Sequence, residues 1–270
     1  MDKIIFEYDG KEYGVKDIVN ALKDVGVEKG DSIFLHADLK SFGKIKNTIT
    51  RDEFLGSFIE ALREGVGKEG NIIMPTFSYS FCKKEVFDPK TTPSKVGVLT
   101  EYFRKLKDIK RSADAIFSVA ALGPDKGYFT DVGTNCFGKQ SIFEKLYSKN
   151  VKILFLGETF DITYMHYIEQ KFGSPYRFIK EFRGQIRSGD ELKGAVFYYN
   201  VRPLDKNIEY DLEGIANFLD SKGVLKKGKL GNSKIRAVNA VEAFNEIMKG
   251  FEENKYLLLK SEPIESAKGR

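Results

Sequence analysis

The chain has 270 residues, enough for one large core or two small ones, and its 41% hydrophobic and 13% aromatic content excludes a disordered chain. Its 44 basic and 39 acidic residues are interspersed, a net charge of +5 without an arginine-rich block, which speaks against nucleic acid and gently favours an anionic small ligand. Two cysteines, no apolar run near the roughly 20 residues of a membrane helix, and a first segment unlike a signal peptide point to a reduced, cytoplasmic protein without a membrane span.

In chain order, "KIIFEYDGKEYG" (3–14) alternates apolar and polar residues around a turn and predicts a hairpin. "VKDIVNALKDVGV" (15–27) has helical spacing and stops at glycine. "DSIFLHADL" (31–39) predicts a strand. "TRDEFLGSFIEALREGVG" (50–67) predicts a helix capped by Thr50, with Glu53 completing a capping box. "NIIMPTFSY" (71–79) is the next strand, and "SKVGVLTEYFRKL" (94–106) a helix capped by Ser94. "IFSVAALG" (116–123) predicts a strand, "SIFEKLYSKN" (141–150) a helix capped by Ser141, and "VKILFLG" (151–157) a strand. "FRGQIRSGDELKGAVFYYNVRP" (182–203) suggests antiparallel strands, and "AVNAVEAFNEIMKGF" (237–251) a late helix.

Helices alternating with apolar strands predict an α/β fold, a three-layer sandwich with a largely parallel central sheet and a β-rich C-terminal addition. We expect one domain over 1–270. Its core spans about 15–185, its C-terminal strands and helix about 186–258, and its polar tail 259–270.

The polar residues of interest stand at strand ends. His36 and Asp38 follow "SIFL", Thr76 follows "IIMP", and Thr163 to Glu169 follow "ILFLG". Loops after parallel strands are where α/β enzymes carry their catalytic groups. In "TYMHYIEQ", His166 and Glu169 share a helix face if that segment is helical. The pair then reads either as a general base with its orienting carboxylate or as a local structural contact. Two histidines and two scattered cysteines are too few for a zinc site.

Longer motifs add a resemblance. "HADLKSFG", "MPTFSYSFCKKEVFDPKTTPSKVGVLTEYFRKL", "RSADAIFSVAALGPDK", "CFGKQSIFEKL", "ILFLGETFDITYMHYIEQ" and "YRFIKEFRG" resemble, in order, the aminoglycoside 3-N-acetyltransferase family. The likeness covers roughly residues 30–185. It implies acetyl-CoA or a related thioester as cosubstrate and an amine on a sugar as acceptor. It also implies that His166 is the catalytic histidine and Glu169 its acidic partner. The CoA arm is placed along His36, Ala37, Ser41, Phe42 and Gly43, and at Pro93 and Ser94, with Arg104, Arg111 and Ser118 grouped with them. Both arginines are suited to phosphate, though each is also an ordinary surface residue.

The sequence departs from the family at Ala37, often serine, and at Asp114-Ala115, often His or Asn followed by Pro; tryptophan is absent. Asp38 and Asp88 are candidates to face the acceptor amine, although Asp88 before proline is equally a turn residue. Tyr79 and Tyr164 either stack on a sugar or pack in the core, and Thr76 or His36 lies near backbone donors for an oxyanion. Direct transfer is favoured over an acyl-Cys82 route, since no histidine is near Cys82 in sequence. The +5 charge favours a nucleotide-linked amino sugar of surface-polysaccharide synthesis as acceptor. The alternatives are an aminoglycoside, conferring antibiotic resistance, and a catalytically silent CoA- or partner-binding module. A homodimer is compatible with the sequence.

Overall fold

The computed structural model describes residues 3–158 and 160–264. Strands β1 (Ile4–Tyr8) and β2 (Lys11–Gly14) form the expected hairpin around Asp9-Gly10, and helix α1 (Val15–Asp24) follows directly. Next come β3 (Ser32–Ala37), the short β4 (Lys44–Ile45) beside β1, and α2 (Arg51–Val66). The α2 start is the expected capping box: the Glu53 N–H donates to Thr50 Oγ1 at 3.2 Å, and the Thr50 N–H to the Glu53 carboxylate at 2.8 Å. Then follow β5 (Asn71–Pro75), α3 (Val98–Phe103), β6 (Lys110–Arg111), β7 (Val119–Leu122), α4 (Lys126–Thr130), α5 (Ile142–Ser148) and β8 (Lys152–Leu156). Ser141 caps α5 as expected, its hydroxyl accepting from the Glu144 N–H at 3.1 Å. The chain continues through α6 (Met165–Phe172), the hairpin β9 (Phe178–Ser188) and β10 (Glu191–Val201), then α7 (Leu212–Ser221), β11 (Lys226–Leu230), β12 (Ser233–Asn239) and α8 (Ala240–Glu253).

The seven-stranded sheet has the order β11-β12-β8-β3-β5-β7-β6. Only the ladders β3–β8 and β3–β5 are parallel; the other four are antiparallel. Strand direction is more uniform than pairing, because β6 and β11 run with β3, β5 and β8 while β7 and β12 oppose them. The three central strands are apolar throughout because both faces are covered. Ile33, Leu35, Ile72, Met74, Leu154 and Leu156 pack towards α1, α2 and α3. The alternate residues Phe34, Ile73, Ile153 and Phe155 pack towards α4 to α8.

Several expectations change. Ser94 is not a helix cap: α3 starts four residues later behind Gly97 (φ +134°), and the Ser94 N–H donates sideways to Glu101 at 2.7 Å. Strand β5 stops at Pro75, after which the chain bonds to 115–118 rather than extending the sheet. Residues 237–239 belong to β12, so the last helix starts at Ala240. Of the β-rich C-terminal strands, β9 and β10 form a two-stranded sheet of their own, while β12 pairs with β8 and extends the main sheet with β11. At the start of the expected polar tail, Leu259 is buried beside Leu258; residues 265–270 of that tail lie outside the described residues.

Candidate active site

The loops after β3 and β8 meet at the C-terminal end of the parallel strands. The Asp38 N–H donates to the Leu156 carbonyl at 2.7 Å. Gly157 has φ +119°, and a Cβ there would lie 2.5 Å from the Asp38 carbonyl oxygen, so only glycine permits this crossing. The chain then turns into α6, which presents His166 and Glu169 on one face, as the i, i+3 spacing requires.

His166 Nδ1 lies 2.7 Å from Glu169 Oε2. A carboxylate only accepts, so a hydrogen bond here has the ring proton on Nδ1 and the lone pair on Nε2; Arg177 Nη2, which only donates, stands 2.9 Å from the same Nδ1 and makes no bond to it in that tautomer. The imidazole is 18% exposed and the glutamate side chain 0%, so solvent reaches the pair through the ring. Two further residues complete it. Arg177 Nε lies 2.7 Å from Glu169 Oε2, and the Tyr210 hydroxyl donates to Oε1 at 2.7 Å. Phe137 meets the imidazole edge-on at 5.3 Å between ring centres.

Burial lowers the proton affinity of His166, and the Arg177 charge lowers it further, against the pull of Glu169. Burial pushes the Glu169 carboxyl up. The His166 hydrogen bond and charge, the Arg177 charge and the Tyr210 hydroxyl outweigh it, leaving Glu169 ionised below the ordinary carboxylate range. The exposed Asp161 carboxylate lies close enough to His36, Tyr79 and His166 for its charge to act on all three.

His36, next to last in β3, is stacked on Phe155 at 5.4 Å and edge-on to Phe34 at 5.2 Å. Its Nε2 is buried without a hydrogen-bond partner among the described residues, and burial pushes its pKa down to about 4. Ala37 and Asp38 are half-buried beside it, and the Asp38 carboxylate accepts from the Lys40 N–H at 3.3 Å. Ser41 bonds Ser233 at 2.8 Å. Gly43 crosses β1 so closely that a Cβ would meet the Glu7 carbonyl oxygen at 2.4 Å. Pro93 is exposed and Ser94 half-buried. Tyr79 is half-buried against Phe77 and Phe117, in a left-handed conformation (φ +56°) unusual for a bulky residue.

Other candidates are occupied by the fold. The Arg111 guanidinium donates to the Thr76 carbonyl at 2.6 Å, the Thr92 carbonyl at 2.5 Å and the Ser118 hydroxyl at 3.1 Å. Thr76 and Ser118 are fully buried in that knot, so none of the three has a group left for phosphate or sugar. Arg104 spends its fork on Glu101 at 2.6 and 2.7 Å. Phe42 is core. Tyr164 is fully buried and donates to the Ala240 carbonyl at 3.2 Å, so it stacks on no ligand. Asp88 is the turn residue, accepting from the Lys90 N–H at 2.7 Å. Cys82 is surface-exposed, yet desolvation of its sulfur and the Asp114 charge push the thiol up to about 11, so its lysine neighbours do not make it a thiolate.

Sequence reasoning missed Arg177 and Tyr210. A cavity of about 720 Å³, lined in part by Gly67, Gly70, Tyr102 and Gly123, lies at the opposite end of β5, away from this chemistry. Among the described residues no three His, Cys, Asp or Glu side chains converge as metal ligands, and no helix is long and apolar enough to cross a membrane.

The pattern of the aminoglycoside 3-N-acetyltransferase family matches residues 34–252. The aminoglycoside N(3')-acetyltransferase-like protein YokD of Bacillus subtilis is 26% identical over 271 residues, covering 88% of this chain and 92% of that protein. Aminoglycoside N(3)-acetyltransferase III of Pseudomonas aeruginosa is 26% identical, covering 80% and 85%. In structure, the fold is shared with AAC-IIIb bound to CoASH (TM-score 0.78, 21% identity, 92% and 98% covered). It is shared also with AAC-VIa bound to sisomicin (TM-score 0.75, 20% identity, 89% and 98% covered). The chain therefore belongs to the aminoglycoside 3-N-acetyltransferase family and is an acetyl-CoA-dependent N-acetyltransferase.

Proposed function

We propose that the chain acetylates an amino group of an aminoglycoside by direct transfer, with His166 as general base. The observation that carries this is the 2.7 Å contact of His166 Nδ1 with a fully buried Glu169, beneath an imidazole that solvent reaches. Acetyl-CoA supplies a thioester whose C–S bond breaks as the amine nitrogen bonds to the carbonyl carbon, CoA leaving as the thiol. His166 Nε2 takes the proton that the nitrogen sheds and returns it to the departing sulfur. Glu169 holds the ring tautomer and stabilises the imidazolium that forms, a step typically contributing ~10²–10⁴-fold.

His36 supports the cosubstrate reading. A buried polar atom without a partner costs about 1–3 kcal/mol, and an amide of the CoA arm would satisfy its Nε2. Ala37, Asp38 and Ser41 are the neighbours that would line that arm. The named relatives support an aminoglycoside acceptor, and none of them supports the nucleotide-linked sugar that the net charge favoured. Asp161 would face the cationic acceptor, orienting its amine towards His166.

Thiol release from acetyl-CoA, measured against aminoglycosides and a nucleotide-linked amino sugar, tests this. Release dependent on an aminoglycoside is expected. Release with the nucleotide-linked sugar alone overturns the acceptor, no release with any amine favours a binding module, and full activity of His166→Ala overturns the base.

A further inference from the structure

We propose that Arg177 and Tyr210 form a clamp that positions the Glu169 carboxylate and, through it, His166. The inference rests on the reading of His166 as base. An i, i+3 contact on a helix surface is by itself worth only a few tenths of a kcal/mol, too little to hold a buried carboxylate in one orientation. Here the carboxylate is held on both oxygens. Oε2 faces His166 Nδ1 and Arg177 Nε, each at 2.7 Å, and Oε1 accepts from Tyr210 at 2.7 Å.

The clamp is itself anchored. Arg177 is 3% exposed, donates through Nη1 to the Asn200 carbonyl at the end of β10, and donates through Nε to the Tyr210 hydroxyl at 3.0 Å. Tyr210 is bridged by its backbone to Leu259, and the next N–H, of Asp211, donates to the Leu258 carbonyl at 3.0 Å. Separate stretches, from α6 to the buried Leu258 and Leu259, thus converge on one carboxylate.

The clamp also sets charge. Arg177 Nη2 lies 2.9 Å from His166 Nδ1, so a protonated resting imidazole would bring two like charges together. Glu169 opposes this, and the balance keeps the ring neutral before reaction while leaving a carboxylate to receive the imidazolium during it. The other titratable groups near the pair are Asp161 on the loop after β8, Tyr176 beside Glu169, and Tyr199 on β10 beside Arg177. The tyrosines are neutral at working pH, and Asp161 is common to all variants below.

The test is the pH profile of kcat/KM for acetyl transfer by the full chain. Tyr210→Phe keeps the ring and removes one donor, so Glu169 attracts a proton on His166 more strongly. The acid limb should move to higher pH with KM little changed. Arg177→Gln should move it further, by about one pH unit, and Arg177→Lys should bring it back towards wild type. Folded variants that lose activity with the limb unmoved, or with Arg177→Gln shifting it downward, overturn the clamp. Should Arg177→Gln not fold, Tyr210→Phe alone decides by the same shift. His166→Ala separates the two claims: activity retained there removes the base itself, whereas an inactive His166→Ala with unmoved limbs removes only the clamp.

Discussion

Replacing Glu169 by glutamine changes little in shape and removes one charge from a side chain with no solvent exposure. His166 Nδ1, the Tyr210 hydroxyl and the charged Arg177 Nε converge on it at 2.7 Å, and glutamine offers one acceptor oxygen and one amide that must face one of them. Removing one member of a buried ion pair typically costs about 3–5 kcal/mol, because the remaining charge, here Arg177, stays buried. With the amide oxygen keeping part of the bonding, we expect the lower end, ~3 kcal/mol. At about 2–4 °C per kcal/mol for a chain of this size, the melting temperature should fall by roughly 6–12 °C. Turnover should fall more, by up to ~10⁴-fold, since an amide turned towards Nδ1 selects the wrong tautomer. The sign of the pH effect follows from Glu169 being held below its ordinary range. Its contribution is present above that range and lost as pH falls through the folded value, so only the wild type should lose it in acid. Calorimetry across pH and thiol-release kinetics measure both. An unchanged melting temperature with normal turnover would refute the reasoning at its base.

His36→Phe keeps the stack on Phe155 and removes a group whose pKa drops from 6.5 to about 4 on folding. The unfolded chain then binds more protons between those values, so the wild type should lose at most about 3 kcal/mol as pH falls from 6.5 to 4, and the variant should not. Urea unfolding at pH 7 and pH 5 reads this, and a raised KM for acetyl-CoA would report the lost Nε2. Arg111→Met should destabilise by ~3 kcal/mol, leaving Thr76, Ser118 and the Thr92 carbonyl without their donor, while the KM for acetyl-CoA stays put. A large KM rise at unchanged stability would instead mark Arg111 as a phosphate ligand. Thr50→Ala should cost about 1 kcal/mol in thermal unfolding and leave kcat untouched, the cap being remote from the site.

The central strands were legible because burial on both faces forces a continuous apolar run, as in "KILFL" of β8. Caps at Thr50 and Ser141 were legible because the bonds span only three residues. Strand β11, "KKGKL", was not: an edge strand keeps its lysines in water and carries no apolar run. Helix α7 had a readable start, since Asp211 caps it by accepting from the Gly214 N–H at 2.8 Å. Gly97 explains the later start of α3, its positive φ delaying the helix that Ser94 predicts.

His166 and Glu169 could be paired from sequence because one helical turn separates them. Arg177 and Tyr210 could not, since their meeting depends on a long-range register. The hairpin pairs Phe178 with Val201, so a chain that leaves at Arg177 travels 11 residues out along β9 and 11 back along β10, returning beside its own origin. That return places the Asn200 carbonyl on Arg177 and brings Tyr210 in shortly afterwards. A one-residue slip of the ladder would turn each β10 side chain to the other face and draw the Asn200 carbonyl away from the guanidinium. The hairpin is mostly exposed along its length, so hydrophobic burial weakly specifies its register. The bonds at its two ends, at Phe87 with Gln185 and Arg187 and at Asn200 with Arg177, must therefore do more of the fixing than its apolar pattern does.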